Sequence, residues 1–156
     1  MLEIDIPGYR RLHFNHLVMD YNRTLAQNGA FLAGVMPRLE QLAKSLRLHV
    51  VTAGTFGQAK ANLAVLPGEV AILSVENQAQ SKLAYIENLG RDHVVAIGNG
   101  RNDRMMLAAA ALGIAVVQKE GAATETLSAA DVVVSDIRSA LDMLLFPKRL
   151  IATLRS

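Results

Sequence analysis

Residues 17–25 of the chain are LVMDYNRTL, and this stretch does most to decide the fold. An apolar run that leads directly into Asp20 is typical of a buried parallel strand with a polar side chain at its carboxyl end. Ligands of open α/β sheets bind outside the carboxyl ends of the strands. The stretch therefore predicts a central strand with Asp20 at a ligand-binding edge, although an Asp here also suits a simple turn cap.

Apolar runs alternate with helical patterns along the rest of the chain. We predict strands at His16–Asp20, Leu48–Thr52, Val70–Ser74, His93–Gly98, Gly113–Val117 and Asp131–Val134. We predict helices at Val35–Leu46, Thr55–Leu66, Gln78–Leu89, Asp103–Ala111, Ala122–Ala129 and Ile137–Leu145. This alternation is typical of βαβ units, so the predicted fold class is α/β with a doubly wound, mostly parallel sheet.

Two segments interrupt the alternation. Leu2–Ile6 and Arg11–Phe14 flank a Pro-Gly turn dipeptide and predict an N-terminal β-hairpin. We expect this hairpin to extend one edge of the sheet. Ala26–Ala30 contains an Asn-Gly turn signal and predicts a small flap directly after the first central strand. Without a long insertion, linker or repeat, residues 1–156 are predicted to form a single domain.

Composition excludes several classes of protein. Hydrophobic residues make up 51% of the chain and aromatic residues only 4%, a balance that suits buried parallel strands covered by helices. The net charge is +2 and the basic residues are scattered, so we predict no nucleic-acid partner. Lys148, Arg149 and Arg155 are interpreted as a solvated helix face. The absence of cysteine excludes disulfides, thiolate metal sites and a cysteine nucleophile.

No secretory signal pattern is found at the N-terminus. The most apolar stretch, Leu107–Val117, is shorter than the roughly 18 residues that a membrane span needs. We therefore expect a cytoplasmic protein without a membrane partner.

Residues 94–103, VVAIGNGRND, form a second strand that ends in a glycine turn and opens a helix. The turn carries oxygen-bearing side chains at Asn99, Asn102 and Asp103, and such ligands suit a hard cation such as Mg²⁺. A dinucleotide-binding fingerprint is the competing interpretation. It requires a third glycine where Asp103 stands, and the negative charge of Asp103 would repel a pyrophosphate.

Two weaker features lie between these stretches. Thr52 and Ala53 end a strand just before a predicted helix, where a hydroxyl and backbone N–H groups suit phosphate oxygens. Threonine is also an ordinary helix N-cap. Lys82 opens a helix, where its charge opposes the helix dipole and indicates an anionic partner. A solvated surface lysine is the alternative.

Taken in order, these four segments resemble the motifs of the haloacid dehalogenase-like phosphohydrolases. The resemblance extends from about His16 to the C-terminus, and it is closest to small proteins that resemble the phosphorylation domain of P-type ATPases. The tail Asp142–Leu154 is also similar to that group. The resemblance implies a Rossmann-like fold without a cap domain and a magnesium-dependent phosphohydrolase.

The resemblance also implies a role for each motif residue. Asp20 corresponds to the nucleophile that forms an aspartyl-phosphate, and Thr24 to the threonine that steadies the loop. Asn22 stands where phosphatases of this group keep a second Asp as general acid and base. The implied phosphate-binding residues are Thr52, Ala53 and Lys82, of which Lys82 also pairs with the nucleophile. The implied magnesium ligands are Asp20, Asn22 (through its backbone carbonyl), Asn99 and Asp103.

Three positions depart from the pattern of the group. Asn22 cannot donate and take back a proton, a step worth roughly 10²- to 10⁴-fold in typical acid–base catalysis. Asn99 offers an uncharged oxygen, so magnesium should bind less tightly. Arg23 stands where glycine is usual.

We therefore predict an enzyme with slow turnover, because Asn22 replaces the acid–base residue and Asn99 weakens magnesium binding. Its expected substrate is a small phosphorylated compound or a phosphorylated macromolecule. Self-association is expected, because no insertion covers the site. A non-catalytic binding or regulatory module is the main alternative function. A receiver-like domain phosphorylated by a partner is a weaker one, because Glu3 and Asp5 lie in the predicted hairpin.

Overall fold

The computed structural model describes residues 1–27, 30–53 and 63–156. The strands of these residues are β1 (Leu2–Asp5), β2 (Arg11–Phe14), β3 (His16–Asp20), β4 (Ala26–Gln27), β5 (Ala30–Phe31), β6 (Arg47–Ala53), β7 (Glu69–Leu73), β8 (Val94–Gly98), β9 (Leu112–Val116) and β10 (Val132–Val134). The α-helices are α1 (Val35–Leu42), α2 (Gln78–Leu89), α3 (Arg104–Ala109), α4 (Thr124–Ala129), α5 (Ile137–Leu145) and α6 (Pro147–Leu154).

Six strands form the central sheet in the order β10-β9-β8-β3-β6-β7, and every neighbouring pair is parallel. From β3 the chain moves outward to β6 and β7, then crosses to β8 and continues outward on the other side. The predicted doubly wound α/β sheet is confirmed. The direction in which successive strands are added to the sheet reverses between β3 and β8. Open α/β sheets bind ligands in the crevice at this switch point, outside the carboxyl ends of the strands.

Alternation along β3 divides the core into two layers. Leu17 and Met19 face a layer that contains α1, α5 and α6, whereas Val18 faces the opposite layer with α2 and α3. All three side chains are fully buried. Burial of an aliphatic side chain stabilises a fold by roughly 1.5–3 kcal/mol, so both faces hold β3 in place. Asp20 therefore follows a rigid strand.

The predicted N-terminal hairpin is present, but its expected place at an edge of the sheet is wrong. β1 and β2 pair antiparallel in a separate two-stranded sheet. A single residue, Asn15, connects β2 to the central strand β3, so the hairpin cannot reach either edge. Its apolar side chains instead pack into the main core, where Ile4, Leu12 and Phe14 are almost fully buried.

Most predicted elements are found with small shifts at their ends. Helix α1 ends at Leu42 rather than Leu46, and a short 3₁₀ turn at Arg101–Asp103 precedes α3. The predicted flap is present as the antiparallel pair β4–β5, while its turn, Asn28-Gly29, lies outside the described residues. Most of the predicted helix at Thr55–Leu66 also lies outside them. Across the described ranges, no helix has the length and apolar character needed to span a bilayer.

Candidate active site

The carboxyl ends of three adjacent strands bring the predicted site residues together. Asp20 ends β3, Thr52 and Ala53 end β6, and Asn99 follows β8 directly. They surround a cleft of about 570 Å³. Its lining includes Asp20, Asn22, Thr52, Ala53, Lys82 and Asn99.

Lys82 lies at the base of the cleft between two carboxylates. Its ammonium donates to Asp20 Oδ1 at 3.0 Å and to Asp103 Oδ1 at 2.6 Å. A third hydrogen bond goes to Asn102 Oδ1 at 3.1 Å. The Lys82 side chain is only 2% exposed, so it is not a solvated surface lysine. Since an ammonium has three hydrogens, each is used within this cluster.

Burial and neighbouring charges perturb both members of the Asp20–Lys82 pair. Burial, together with the negative charge of Asp103, raises the pKa of Asp20 to about 7, even though Lys82 opposes this rise. Burial alone would lower the pKa of Lys82, but the attraction of Asp20 and Asp103 outweighs it and raises the pKa. The lysine is therefore held as a cation beside Asp20, and perturbed groups of this kind in a cleft are typical of active sites.

Asp103 holds both Lys82 and the turn after β8 through hydrogen bonds. Its side chain is fully buried and does not line the cleft. Oδ2 accepts hydrogen bonds from the backbone N–H groups of Asn99 and Gly100, at 2.9 and 3.0 Å. The turn requires a glycine at Gly98, because a Cβ there would lie 2.5 Å from Asp103 Cγ. Both Asp103 oxygens are thus used in holding Lys82 and the turn.

Asp20 and Asn99, which both line the cleft, each place one side-chain oxygen within hydrogen-bond distance of the Thr24 hydroxyl. Thr24 Oγ1 is 3.4 Å from Asp20 Oδ2 and 3.2 Å from Asn99 Oδ1. The Asn99 amide nitrogen donates to the carbonyl of Gly121 at 3.4 Å, which turns its oxygen toward Thr24. Mg²⁺ in proteins takes one or two carboxylate oxygens and keeps several waters. The donor set formed by Asp20 Oδ2 and Asn99 Oδ1 fits such an ion.

The loop after β3 is held in an unusual backbone conformation. Arg23 has φ 65°, in the left-handed region that favours glycine. Its N–H donates to the carbonyl of Ala26 at 2.9 Å, and its own carbonyl accepts from Gln118 Nε2 at 2.9 Å. A left-handed residue other than glycine costs roughly 1–2 kcal/mol. Glycine would adopt this conformation without strain.

Replacing Arg23 by glycine should therefore stabilise the fold. We expect Arg23→Gly to raise the free energy of unfolding in urea by about 0.5–1 kcal/mol, since the strain exceeds the entropic cost of glycine. Asn77→Gly is the matched control, because Asn77 has φ 56° but asparagine tolerates that region. A loss of stability in Arg23→Gly, or an equal gain in both variants, would contradict the assignment of strain.

Comparison with known proteins agrees with this geometry. Residues 76–139 match the model of the haloacid dehalogenase-like hydrolases. An uncharacterized protein of Methanocaldococcus jannaschii is 46% identical over 79 residues, which are 48% of this chain and 85% of that protein. The chain belongs to the haloacid dehalogenase-like superfamily.

Solved structures share the haloacid dehalogenase-like fold with this chain. The 3-deoxy-D-manno-octulosonate 8-phosphate phosphatase of Moraxella catarrhalis, in complex with magnesium, phosphate and KDO, has a TM-score of 0.68 at 18% identity. The match covers 92% of this chain and 94% of that one. The catalytic domain of the CPx-ATPase CopB-B has a TM-score of 0.55 at 24% identity and covers 67% of this chain and 41% of its own. At these identities the likeness is one of fold.

Some residues of the haloacid dehalogenase-like site were not singled out from the sequence. Asn102 was noted only as part of the turn, yet it accepts from Lys82 and donates to Gln78 Oε1 at 2.6 Å. Its place three residues after Asn99, in the same turn, is the signal that was available. Gln118 ties the loop after β3 to α5 by accepting from the N–H of Ile137 at 2.9 Å. Nothing in the local sequence indicated that link.

Proposed function

We propose that the protein is a magnesium-dependent phosphohydrolase that forms an aspartyl-phosphate on Asp20. The observation that carries this proposal is the buried Lys82, which bonds to both Asp20 and Asp103 at the base of an open cleft. A cation fixed beside a carboxylate is suited to neutralising a phosphoryl group during transfer. Thr52, which is 3% exposed and lines the cleft, is placed to bind a phosphoryl oxygen.

In the proposed reaction, Asp20 Oδ1 attacks phosphorus in line with the leaving group. The bond from phosphorus to the substrate oxygen breaks as the bond to Asp20 forms. The leaving alkoxide takes its proton from water, because the amide of Asn22 is too weak an acid to supply one. Water then attacks phosphorus and releases inorganic phosphate and the Asp20 carboxylate. Both steps lack a positioned acid–base group, so we expect slow turnover.

Magnesium, when bound, would supply positive charge to the transferred group. We propose Asp20 Oδ2 and Asn99 Oδ1 as its side-chain ligands, with the backbone carbonyl of Asn22 beside them. Asp103, which the sequence predicts as a further ligand, is given an indirect role in this proposal, because its oxygens hold Lys82 and the turn that carries Asn99. This arrangement rests on the contacts of both oxygens with the Thr24 hydroxyl.

Manganese tests the metal site directly. We expect anomalous scattering from crystals soaked in millimolar manganese to reveal one ion between Asp20 and Asn99. In Asn99→Leu the peak should be lost, because the second oxygen is absent. An ion bound elsewhere, or no ion at that concentration, would remove the metal from the proposal.

The activity itself is tested with a panel of phosphorylated metabolites and saturating magnesium. We expect slow release of phosphate by the wild type and no release above background by Asp20→Asn. This variant should keep its fold, because Lys82 still pairs with Asp103 and one of two crowded carboxylates becomes neutral. Release by Asp20→Asn equal to that of the wild type would contradict the assigned nucleophile.

A second candidate function is a non-catalytic binding module of the same fold. It is favoured by the amides at Asn22 and Asn99, and by the fact that the described residues contain no group of three His, Cys, Asp or Glu suited to a metal. This function would be favoured if the protein hydrolysed none of the phosphorylated metabolites but still bound phosphate. Self-association through the flap or the hairpin also stays a prediction, which light scattering at working concentration would test.

A further inference from the structure

Two cations at the cleft have no acidic partner among the described residues. Arg23 and Lys119 are exposed and line the cleft. Within residues 1–27, 30–53 and 63–156, neither side chain makes a salt bridge or a hydrogen bond. Arginines elsewhere do pair, as the half-buried Arg38 does with Asp142 at 2.8 Å and the exposed Arg101 does with Glu125 at 3.0 Å.

The proposed phosphoryl site does not need these two charges. Lys82 supplies a cation beside Asp20 and is itself balanced by Asp20 and Asp103. The ion proposed at Asp20 and Asn99 adds further positive charge. Arg23 and Lys119 are therefore additional cations. Besides Asp20, the described lining residues include the acidic Glu120, which partly offsets them.

The backbone holds both cations at one side of the cleft. Gln118 Nε2 donates to the carbonyls of Arg23 and Thr24, at 2.9 and 3.1 Å. Lys119 follows Gln118 directly, so the two cations stand on adjacent, hydrogen-bonded loops. Arg23 occupies a left-handed position where glycine would be unstrained. Strained residues of this kind cluster at sites of function.

We infer that Arg23 and Lys119 bind a second anionic group of the substrate, either a carboxylate or a second phosphate. The preferred substrates are then phosphomonoesters that carry another negative charge away from the transferred group. An arginine guanidinium is well suited to such a group, because its fork of N–H donors matches two oxygens of a carboxylate or phosphate. The inference rests on the proposed function and names its substrate class.

The test uses two matched pairs of substrates. 3-Phosphoglycerate and glycerol 3-phosphate differ by a carboxylate, and ribulose 1,5-bisphosphate and ribulose 5-phosphate differ by a second phosphate. For each pair, the ratio of kcat/KM values is measured in wild type, Arg23→Gln, Lys119→Gln and Arg11→Gln. Glutamine removes the charge of Arg23 and keeps its backbone strain. Arg11 is an exposed arginine on β2, outside the cleft.

We expect the wild type to prefer the doubly anionic member of one pair, and Arg23→Gln to reduce that ratio about 10-fold, as for the loss of one charge-assisted hydrogen bond. Lys119→Gln should reduce it in the same direction, and Arg11→Gln should change it less than about twofold. The substrate pair whose kcat/KM ratio falls in Arg23→Gln identifies the second anionic group as a carboxylate or a phosphate. Ratios in Arg23→Gln that match those of Arg11→Gln in both pairs would overturn the inference.

Calorimetric titration separates this inference from the proposed function. If no compound is hydrolysed, the proposed function fails, but binding of the same four compounds with magnesium is still measured. Tighter binding of a doubly anionic compound that Arg23→Gln weakens about 10-fold supports the anion site. Equal binding within each pair, or no effect of Arg23→Gln, overturns it.

Discussion

Asn22→Asp should raise phosphatase turnover by as much as roughly 10²- to 10⁴-fold, the range expected from a positioned proton donor. The Asn22 side chain is exposed and lines the cleft two residues after Asp20, so we expect a carboxyl there to reach the leaving group of the proposed reaction. The replacement is nearly isosteric and packing should survive. A second carboxylate near Asp20 also raises one of the two pKa values, which favours the protonated state that an acid needs.

The new charge should also tighten magnesium, so turnover is compared at saturating metal. Asn99→Asp is the matched control, because it adds a carboxylate to the same cleft without placing an acid beside the leaving group. It should lower the magnesium concentration needed for half-maximal rate and leave kcat at saturation nearly unchanged. If Asn22→Asp stays at background while fold and metal binding persist, the binding-module function is preferred.

Lys82→Met should destabilise the fold by about 3–5 kcal/mol at neutral pH, the usual cost of removing one partner from a buried ion pair. Methionine preserves most of the volume, but Asp20 and Asp103 then face each other without a cation. Lys148→Met is the matched control, since Lys148 is an exposed lysine of α6, and it should change stability by less than about 0.5 kcal/mol.

The loss in Lys82→Met should also depend on pH. The pKa of Asp20 is about 7 when Lys82 is present, against an ordinary value of 3.8, and without the lysine it lies higher still. An acid with a raised folded-state pKa stabilises the fold below its ordinary pKa, and this contribution is lost as the pH rises through the folded value. Between about pH 4 and pH 7 Asp20 is protonated in both folded proteins, so the deficit of the variant should stay level there and should grow as the pH rises above about 7, where Asp20 ionises in the wild type only. A deficit that is constant with pH would contradict the charge-based explanation.

Local sequence was sufficient to predict the central sheet and much of the site. Apolar runs predicted all six parallel strands. The inner strands β8 and β9 are buried on both faces and have continuous apolar runs for that reason, whereas the edge strands β7 and β10 are apolar although Ile72 and Val133 are exposed. Asp20, Thr52 and Asn99 could be placed together, since the carboxyl ends of neighbouring parallel strands meet at one edge. Lys82 was indicated by its unfavourable place near a helix start.

Features that depend on contacts distant in sequence were not predictable in this way. The prediction that the hairpin extends an edge of the sheet was wrong. The place of the hairpin depends on distant contacts, such as the hydrogen bond from the Tyr9 hydroxyl to Asp131 at 2.9 Å, between residues 122 positions apart. The buried position of Asp103 depends on where Lys82 and the N–H groups of its turn lie in space. The oxygen donors around Thr24 likewise depend on a contact between residues 24 and 99.

Chemical trapping tests the central claim most directly. The wild type is quenched in acid during turnover with magnesium and substrate, reduced with borohydride, digested and sequenced by mass spectrometry. Borohydride converts an aspartyl-phosphate to homoserine, so we predict homoserine at position 20 in substrate-treated protein and aspartate there in untreated protein. The phosphorylated form should accumulate, because Asn22 cannot activate the water that hydrolyses it. Turnover during which position 20 is recovered only as aspartate would contradict the account.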